Sequence, residues 1–315
     1  MSLIERAAKR LEELRRAGVE IPTHAEESGH DRMVSPQNFV APDPAHQASL
    51  QAHTAASSRG PSGTAATSHS QRSRFDLDLA RLATLGFVTP DMPRSRIADE
   101  FRILKRPLIA NTSDKKAVPI KHSNLIMVTS AVPGEGKTFT AVNLAMSLAM
   151  ELDRTVLLVD ADVARPSLPN LLGLPSTRGL LDVLDSKAVD LNHVLLRTNV
   201  EKLSILPSGT PHTHATELLA SGAMAQLLEE MSARYADRII IFDSPPLLVT
   251  TEARVLATQM GQIVFVVHAE STLQSDVKRA LATIEACPIK MMVLNQARTV
   301  GQGAHGYGYG YGYGA

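Results

Sequence analysis

The stretch LIMVTSAVPGEGKT, residues 125–138, decides the fold of this chain of 315 residues. It opens on an apolar, β-branched run that predicts a strand buried on both faces of a sheet. A loop with two glycines follows, and a helical pattern begins near residue 137. In such a loop, consecutive backbone N–H groups converge at the helix N-terminus, where the helix dipole also favours anions. The order of strand, glycine-rich loop and helix therefore predicts a phosphate-binding loop.

The loop carries the residue types that hold ATP and Mg²⁺ in loops of this kind. Gly134 and Gly136 allow the backbone to approach the phosphates, and Lys137 reaches the β- and γ-phosphates. Thr138 supplies a hydroxyl for Mg²⁺. Ala131 stands where such loops usually begin with glycine, which is tolerated if the backbone there avoids positive φ. The residues predicted to bind ATP here are Pro133, Gly134, Glu135, Gly136, Lys137, Thr138 and Phe139.

Two later segments end an apolar run on aspartate, as strands do at the carboxyl edge of an open α/β sheet, where ligands bind. VLLVDADVARP places Asp160 and Asp162 at such an end, and IIIFDSPPL places Asp243 at another. Carboxylates in this position suit Mg²⁺ coordination and activation of an attacking hydroxyl. The predicted catalytic residues are Lys137, Asp160, Asp162 and Asp243. The predicted metal ligands are Thr138, Asp160 and Asp243.

Short apolar runs alternate with helical patterns through the rest of the core. The runs are continuous rather than alternating, which predicts an α/β fold: a doubly wound, mainly parallel sheet with helices on both faces. We expect this domain to span residues 95–300. Strands are predicted at 125–129, 155–159, 203–206, 239–242, 263–267 and 291–294. Helices are predicted at 95–110, 137–151, 215–233, 251–258 and 273–286.

The segments outside this domain have a different composition. Residues 1–21 show the apolar stripe of an amphipathic helix. Residues 22–94 are predicted to form a largely disordered linker. The part up to about residue 73 is rich in Ser, Thr, Ala, His, Pro and Gln, so it cannot bury enough apolar surface to offset its ordering entropy. Residues 301–315 contain the low-complexity run HGYGYGYGYGA and are predicted to form a tail.

Charge and hydropathy limit the possible partners. The 32 basic and 32 acidic residues balance, so no overall field favours nucleic acid. The single cysteine, Cys287, excludes a disulfide framework within one chain. No apolar run reaches the ~20 residues that span a bilayer. We therefore expect a soluble, cytoplasmic protein.

The P-loop, the Asp-x-Asp segment and Asp-Ser-Pro-Pro, in this order, resemble the bacterial tyrosine kinases (BY-kinases), within the ParA/MinD-type class of P-loop ATPases. The resemblance covers about residues 95–315. It implies that Asp160 and Asp162 form the catalytic pair, one of them the base toward a tyrosine hydroxyl, and that Asp243 supports the metal. It also implies that Asn295, at the end of a predicted strand, contacts adenine. The family's second motif is the Asp-x-Asp segment with the residues that follow it, and Ala164 stands where that motif has an arginine.

The same resemblance implies how such a kinase is assembled and regulated. An oligomerisation helix before the P-loop would use Asp99, Arg102 and Lys105, with lysine in place of the family's final arginine, to form a homo-oligomeric ring. The tail would be the autophosphorylation substrate, and its tyrosines are Tyr307, Tyr309, Tyr311 and Tyr313. The implied partners are a membrane-embedded polysaccharide co-polymerase that activates the kinase and a tyrosine phosphatase. The implied role is control of exopolysaccharide synthesis from the inner face of the membrane, reached through the partner.

Three functions stay open on the sequence alone. The first is the autokinase, and the opening SLIERAAKRLEEL together with DADVARPS resembles the subgroup found with exosortase-linked loci. The second is a ParA/MinD-type ATPase switch, which usually has an early lysine in the P-loop that AVPGEG lacks. The third is a regulatory protein that binds ATP without transferring phosphate.

Overall fold

The computed structural model describes residues 74–112, 120–186, 188–234 and 237–297. The predicted helix at 1–21, the predicted linker before residue 74 and the tail at 301–315 with its tyrosines lie outside the described residues. Within these ranges, eight strands form one sheet. The strands are β1 Arg74–Phe75, β2 Leu125–Ser130, β3 Thr155–Asp160, β4 Leu196–Thr198, β5 Leu203–Leu206, β6 Arg238–Asp243, β7 Gln262–His268 and β8 Ile289–Asn295.

The sheet has the order β1-β4-β5-β3-β6-β2-β7-β8. Neighbouring strands are parallel, except that β4 pairs antiparallel to β5. Strand β2 is buried along its whole length, as are β3 and β6 apart from their first residues, so both faces of the sheet are covered. The predicted α/β fold with a doubly wound, mainly parallel sheet is confirmed.

Helices cover the two faces of the sheet and form two apolar clusters. The cluster on one face draws on the helices between residues 79 and 172, and the cluster on the other face draws on the helices between residues 180 and 282. None of the described helices is long and apolar enough to cross a membrane. The helices are α1 Leu79–Thr84, α2 Arg96–Asn111, α3 Lys137–Ala149, α4 Leu168–Leu172, α5 Leu180–Asp185, α6 Leu191–Val194, α7 Ala215–Leu219, α8 Gly222–Arg234, α9 Thr251–Ala257 and α10 Gln274–Ala282.

All six predicted strands and all five predicted helical stretches occur, with one helix divided. The stretch predicted as one helix at 215–233 forms two helices, α7 and α8, that break at residues 220–221. The sequence did not predict the short elements β1, α1, β4 and α4 to α6. Each of them has six residues or fewer, which is too short for a period to stand out.

The predicted extent of the disordered linker is wrong at its C-terminal end. Residues 74–94 belong to the folded domain, because β1 pairs with β4 and Leu82 and Val88 are buried. The backbone N–H of Val88 also donates to the side chain of Asn143 in α3, at 2.6 Å. A few apolar residues in this segment bury against the sheet-covering helices, and that burial offsets the ordering entropy of an otherwise polar stretch.

Candidate active site

The loop after β2 takes the conformation that its glycines predict. Gly134 and Gly136 have φ of 85° and 91°, in the left-handed region that residues with a side chain avoid. A Cβ at Gly136 would lie 2.0 Å from Nδ2 of Asn295, so a larger residue here would displace that side chain from the loop. Ala131 is not among the described residues with positive φ, and it is buried. The alanine is therefore compatible with the loop.

Glu135 braces the loop from inside. Its side chain is 1% exposed, and its carboxylate accepts hydrogen bonds from the backbone N–H of Val132, at 2.7 Å, and from the hydroxyl of Thr272, at 2.5 Å. The same hydroxyl accepts from the backbone N–H of His268 at the end of β7. Glu135 was predicted to bind ATP, but its carboxylate faces the protein. The contribution that it can make to phosphate binding is its backbone N–H.

The other predicted nucleotide contacts occupy different places around the loop. Pro133 and Gly134 are exposed at its tip. The Phe139 ring turns into the core and packs against Phe87, with ring centroids 4.9 Å apart. Asn295 ends β8 and donates from Nδ2 to the backbone carbonyl of Glu135, at 2.9 Å. The structure thus places Asn295 against the P-loop, while its contact with adenine stays a prediction.

Two aspartates from adjacent strands meet beside the loop. Asp160 of β3 and Asp243 of β6 are register partners at the carboxyl ends of their strands, and both are fully buried. None of their four carboxylate oxygens has a partner with hydrogen-bond geometry among the described residues. Weaker polar contacts come from the Thr138 hydroxyl to Asp243 and from the backbone of residues 162 and 168 to Asp160.

Burial controls the ionisation of this pair. Desolvation, together with the negative charges of Asp243 and Asp162, raises the pKa of Asp160 to about 8. Desolvation also raises the pKa of Asp243 to about 7, although the Thr138 hydroxyl and the Lys137 ammonium oppose that shift. Two buried carboxylates side by side are unfavourable in their ionised form unless a cation joins them.

Mg²⁺ fits the donors that this pair and the loop provide. The described residues hold no cluster of three or more His, Cys, Asp or Glu that could bind a metal without help. Mg²⁺ does not require such a cage, because it usually binds one or two carboxylates together with substrate phosphates and water. Asp160, Asp243 and the hydroxyl of Thr138 form a set of this kind. The Thr138 hydroxyl lies 2.7 Å from the hydroxyl of Ser167, a contact that the sequence did not predict.

Asp162 and Lys137 complete the predicted catalytic set. Asp162 is partly buried, and desolvation raises its pKa while the Lys137 ammonium and the backbone N–H of Arg165 oppose the rise. That N–H lies 3.2 Å from the carboxylate oxygen Oδ1 of Asp162. Lys137 is the first residue of α3, and its electrostatic interaction reaches both Asp162 and Asp243. The structure thus brings all four predicted catalytic residues to the carboxyl edge of the sheet.

The helix predicted to mediate assembly corresponds to α2, but its three residues do not share one environment. Asp99 and Arg102 are exposed and form an ion pair with each other, and their role in assembly stays a prediction. Lys105 is buried instead, 2.7 Å from Glu151 and 2.5 Å from the backbone carbonyl of Ser147. The assembly role of Lys105 also stays a prediction, although its ammonium is engaged within its own chain. Its ammonium ties α2 to the end of α3 within the same chain.

The chain matches one family model and is similar to named bacterial proteins. The family model described as "ParA: NUBPL iron-transfer P-loop NTPase" matches residues 121–300. The chain is 30% identical over 200 residues to tyrosine-protein kinase YwqD of Bacillus subtilis (strain 168), covering 64% of this chain and 80% of that protein. It is 28% identical over 208 residues to putative tyrosine-protein kinase CapB of Staphylococcus aureus, covering 65% and 87%.

Solved structures agree with the sequence matches. The kinase domain of Escherichia coli tyrosine kinase ETK aligns with a TM-score of 0.58 and 27% identity, covering 71% of this chain and 86% of that one. The chimerical protein CapA2B2 aligns with a TM-score of 0.55 and 26% identity, covering 68% and 97%. Both alignments support the same fold as the family model.

Proposed function

The chain belongs to the ParA family of P-loop NTPases and, within it, to the bacterial tyrosine kinases, and from this premise we propose that it uses MgATP to phosphorylate the tyrosines of its own tail. The resemblance found in the sequence is thereby confirmed at the level of the family. The observation that carries the proposal is the buried pair Asp160 and Asp243, whose carboxylate oxygens have no hydrogen-bond partner among the described residues and whose electrostatic neighbours include the P-loop lysine. The proposed acceptors are Tyr307, Tyr309, Tyr311 and Tyr313.

The proposed reaction is transfer of the γ-phosphoryl group of ATP to a tyrosine oxygen. The bond between the γ-phosphorus and the bridging oxygen of ADP breaks, a phosphorus–oxygen bond to the tyrosine forms, and the phenolic proton passes to a carboxylate. Lys137, at the N-terminus of α3, holds the phosphates together with the backbone N–H groups of the loop. Bound Mg²⁺ would neutralise charge that develops on the phosphate oxygens.

Burial favours different roles for the two aspartates of the second motif. Asp160 is fully buried next to Asp243, which suits a metal ligand that the acceptor does not touch. Asp162 is partly exposed at the same sheet edge, so a tyrosine hydroxyl can approach its carboxylate. We therefore assign the metal to Asp160, Asp243 and Thr138, and the proton to Asp162.

The length of the chain after the sheet permits the tail to reach an active site. Tyr307 is twelve residues beyond Asn295. Twelve extended residues span up to ~40 Å at ~3.3–3.6 Å per residue. In the proposed homo-oligomer, this reach would serve to bring the tail of one chain to the site of an adjacent chain. Each phosphotyrosine would add about −1.5 to −2 charges, and the repulsion among four of them in the fully modified tail would loosen it from the active site.

The family resemblance supports the cellular setting that we propose. In this proposal the kinase is activated by a membrane-embedded polysaccharide co-polymerase, is reversed by a tyrosine phosphatase, and regulates exopolysaccharide synthesis. It would act in the cytoplasm, peripheral to the inner membrane through that partner. Asp99 and Arg102 are the exposed residues of α2 that remain candidates for the contact in the ring.

The test is phosphotyrosine detection after incubation with MgATP. We expect signal on the wild-type protein, with the partner's cytoplasmic segment added, and no signal on Lys137→Met or on the quadruple Tyr→Phe variant of the tail. ATP hydrolysis without phosphotyrosine would instead identify a ParA/MinD-type switch, and neither activity would identify a regulatory protein. Undiminished incorporation of labelled phosphate into the quadruple variant would contradict the tail as the substrate.

A further inference from the structure

Apart from the candidate active site, a cavity lies at the end of the sheet opposite to β8. Its volume is about 330 Å³, and it lies among β1, β4, helix α6 and the loop that precedes α5. Arg74, Arg178 and His193 line it together with Phe75 and a wall of aliphatic side chains. The volume is at the lower end of the ~300–1,000 Å³ that is typical of pockets for small ligands.

The charged groups of this cavity favour an anion. Arg178 is exposed and has no ion pair or hydrogen bond from its guanidinium within the part of the chain that the structure describes. Arg74 has one exposed partner, Asp76, at 3.5 Å, so most of its five N–H donors stay available. The single carboxylate of the lining, Asp190, caps α6 by accepting from the backbone and the side chain of Asn192.

A buried hydroxyl and an aromatic ring point to more than an inorganic ion. The hydroxyl of Thr177, another lining residue, is buried and has no hydrogen-bond partner among the described residues. A ligand oxygen would satisfy it. Phe75 and the aliphatic side chains Val189, Val194 and Leu196 form a surface that suits a flat apolar group. An aromatic ring that carries a dianionic oxygen group has both properties.

One lining residue of the cavity lies at the sheet edge that holds the candidate active site. Strand β4 runs antiparallel to β5, so its first residue, Leu196, lies beside the carboxyl end of β5. Strand β3, which ends on Asp160, is the neighbour of β5 on the other side. Two strand spacings of ~4.8 Å each therefore separate β4 from the strand of the catalytic aspartates, a distance of about 10 Å.

We propose that this cavity binds the phosphotyrosine side chain of a tail that has already been phosphorylated, and so holds the tail while a further tyrosine is in the active site. The proposal rests on the proposed function, because the tail must first be a substrate. The spacing of the tail agrees with it: tyrosines occur at every second residue from 307 to 313. In an extended segment, tyrosines four residues apart are ~13 Å apart, which is enough to span the ~10 Å between β4 and β3.

Binding of synthetic peptides tests this docking separately from catalysis. The protein is the full chain with Lys137→Met, so that its own tail stays unmodified whether or not the wild type is a kinase. The probe is a fluorescent Gly-Tyr-Gly-Tyr-Gly-Tyr-Gly peptide with the central tyrosine phosphorylated, and fluorescence anisotropy reports its affinity. We expect it to bind at least about ten-fold more tightly than the unphosphorylated peptide, as charge-assisted hydrogen bonds to arginine predict.

Matched variants place the binding in the cavity. Arg178→Gln is expected to weaken phosphopeptide binding by about ten-fold, whereas Arg279→Gln, at an exposed arginine on α10, leaves it unchanged. Thermal denaturation of both variants confirms that they fold. Equal affinity for phosphorylated and unphosphorylated peptides, or an unchanged affinity in Arg178→Gln, overturns the proposal. Equal affinity for a phosphoserine peptide overturns the role of the aromatic ring and leaves a general phosphate site.

Discussion

The hydroxyl of Thr272 offers a test of how the P-loop is held in shape. Glu135, buried in the loop, has two hydrogen-bond donors, and Thr272 is the one that comes from outside the loop. Thr272→Val removes this donor and keeps the shape of the side chain. A hydrogen bond to a charged group contributes about 1.5–3 kcal/mol, and a buried carboxylate that loses a donor bears that cost in full.

The cost divides between stability and nucleotide binding. If the whole free-energy cost of the lost hydrogen bond opposed the loop conformation that binds ATP, the affinity for ATP would fall by about 10–100-fold, because 1.4 kcal/mol corresponds to a factor of ten. We expect the dissociation constant of a fluorescent ATP analogue to rise toward this range and the KM for ATP to rise with it. The kcat should change little, because Thr272 does not contact the predicted catalytic aspartates.

Two control variants separate this effect from a general loss of stability. Thr272→Ser keeps the hydroxyl and should bind ATP like the wild type. Thr258→Val removes an exposed hydroxyl that donates to the carbonyl of Val255 at the end of α9, far from Glu135 in the sequence, and should leave ATP binding unchanged. An affinity of Thr272→Val within about two-fold of wild type at saturating Mg²⁺ would refute the brace, since the lost hydrogen bond predicts a larger change.

Two further predictions concern Lys105 and the pH dependence of stability. Lys105→Met removes the ion pair with Glu151, whose pKa is lowered by contact with Lys105 despite partial burial. We expect urea denaturation to show an unfolding free energy lower by about 1–3 kcal/mol, which is less than for a fully buried pair because Glu151 is partly exposed. Sedimentation should show an unchanged oligomeric state. In the protein without Mg²⁺ and nucleotide, the pKa is raised to about 8 for Asp160 and to about 7 for Asp243. Between the ordinary aspartate pKa of 3.8 and these values, the folded state keeps protons that the unfolded state has released. The unfolding temperature should therefore fall as pH rises from about 4 to about 8. Asp160→Asn should make that fall shallower, because one of the two buried carboxyl groups is gone. An equally steep fall in the variant would contradict burial of Asp160 as the cause.

Local sequence was sufficient to predict the residues of the candidate active site. The P-loop was predicted because strand, glycine-rich loop and helix are consecutive, so the backbone alone presents N–H groups to phosphate. Asp160, Asp162 and Asp243 were predicted to meet because parallel strands end at one sheet edge, and the structure places them there. The mainly parallel sheet followed from continuous apolar runs, since a strand buried on both faces has no reason to alternate.

Tertiary structure alone decided which charged residues serve the fold. Glu135 and Thr272 are 137 residues apart, and Lys105 and Ser147 are 42 apart, so no local pattern links either pair. The P-loop motif indicated ATP binding for Glu135, and the resemblance to the kinase family implied a role in assembly for Lys105. Both are buried, since each finds a partner contributed by a distant segment. The sequence by itself therefore determined which groups form the candidate phosphate site. Only the tertiary structure decided what holds those groups in place, because burial and pairing of a charge depend on chain segments that come together on folding.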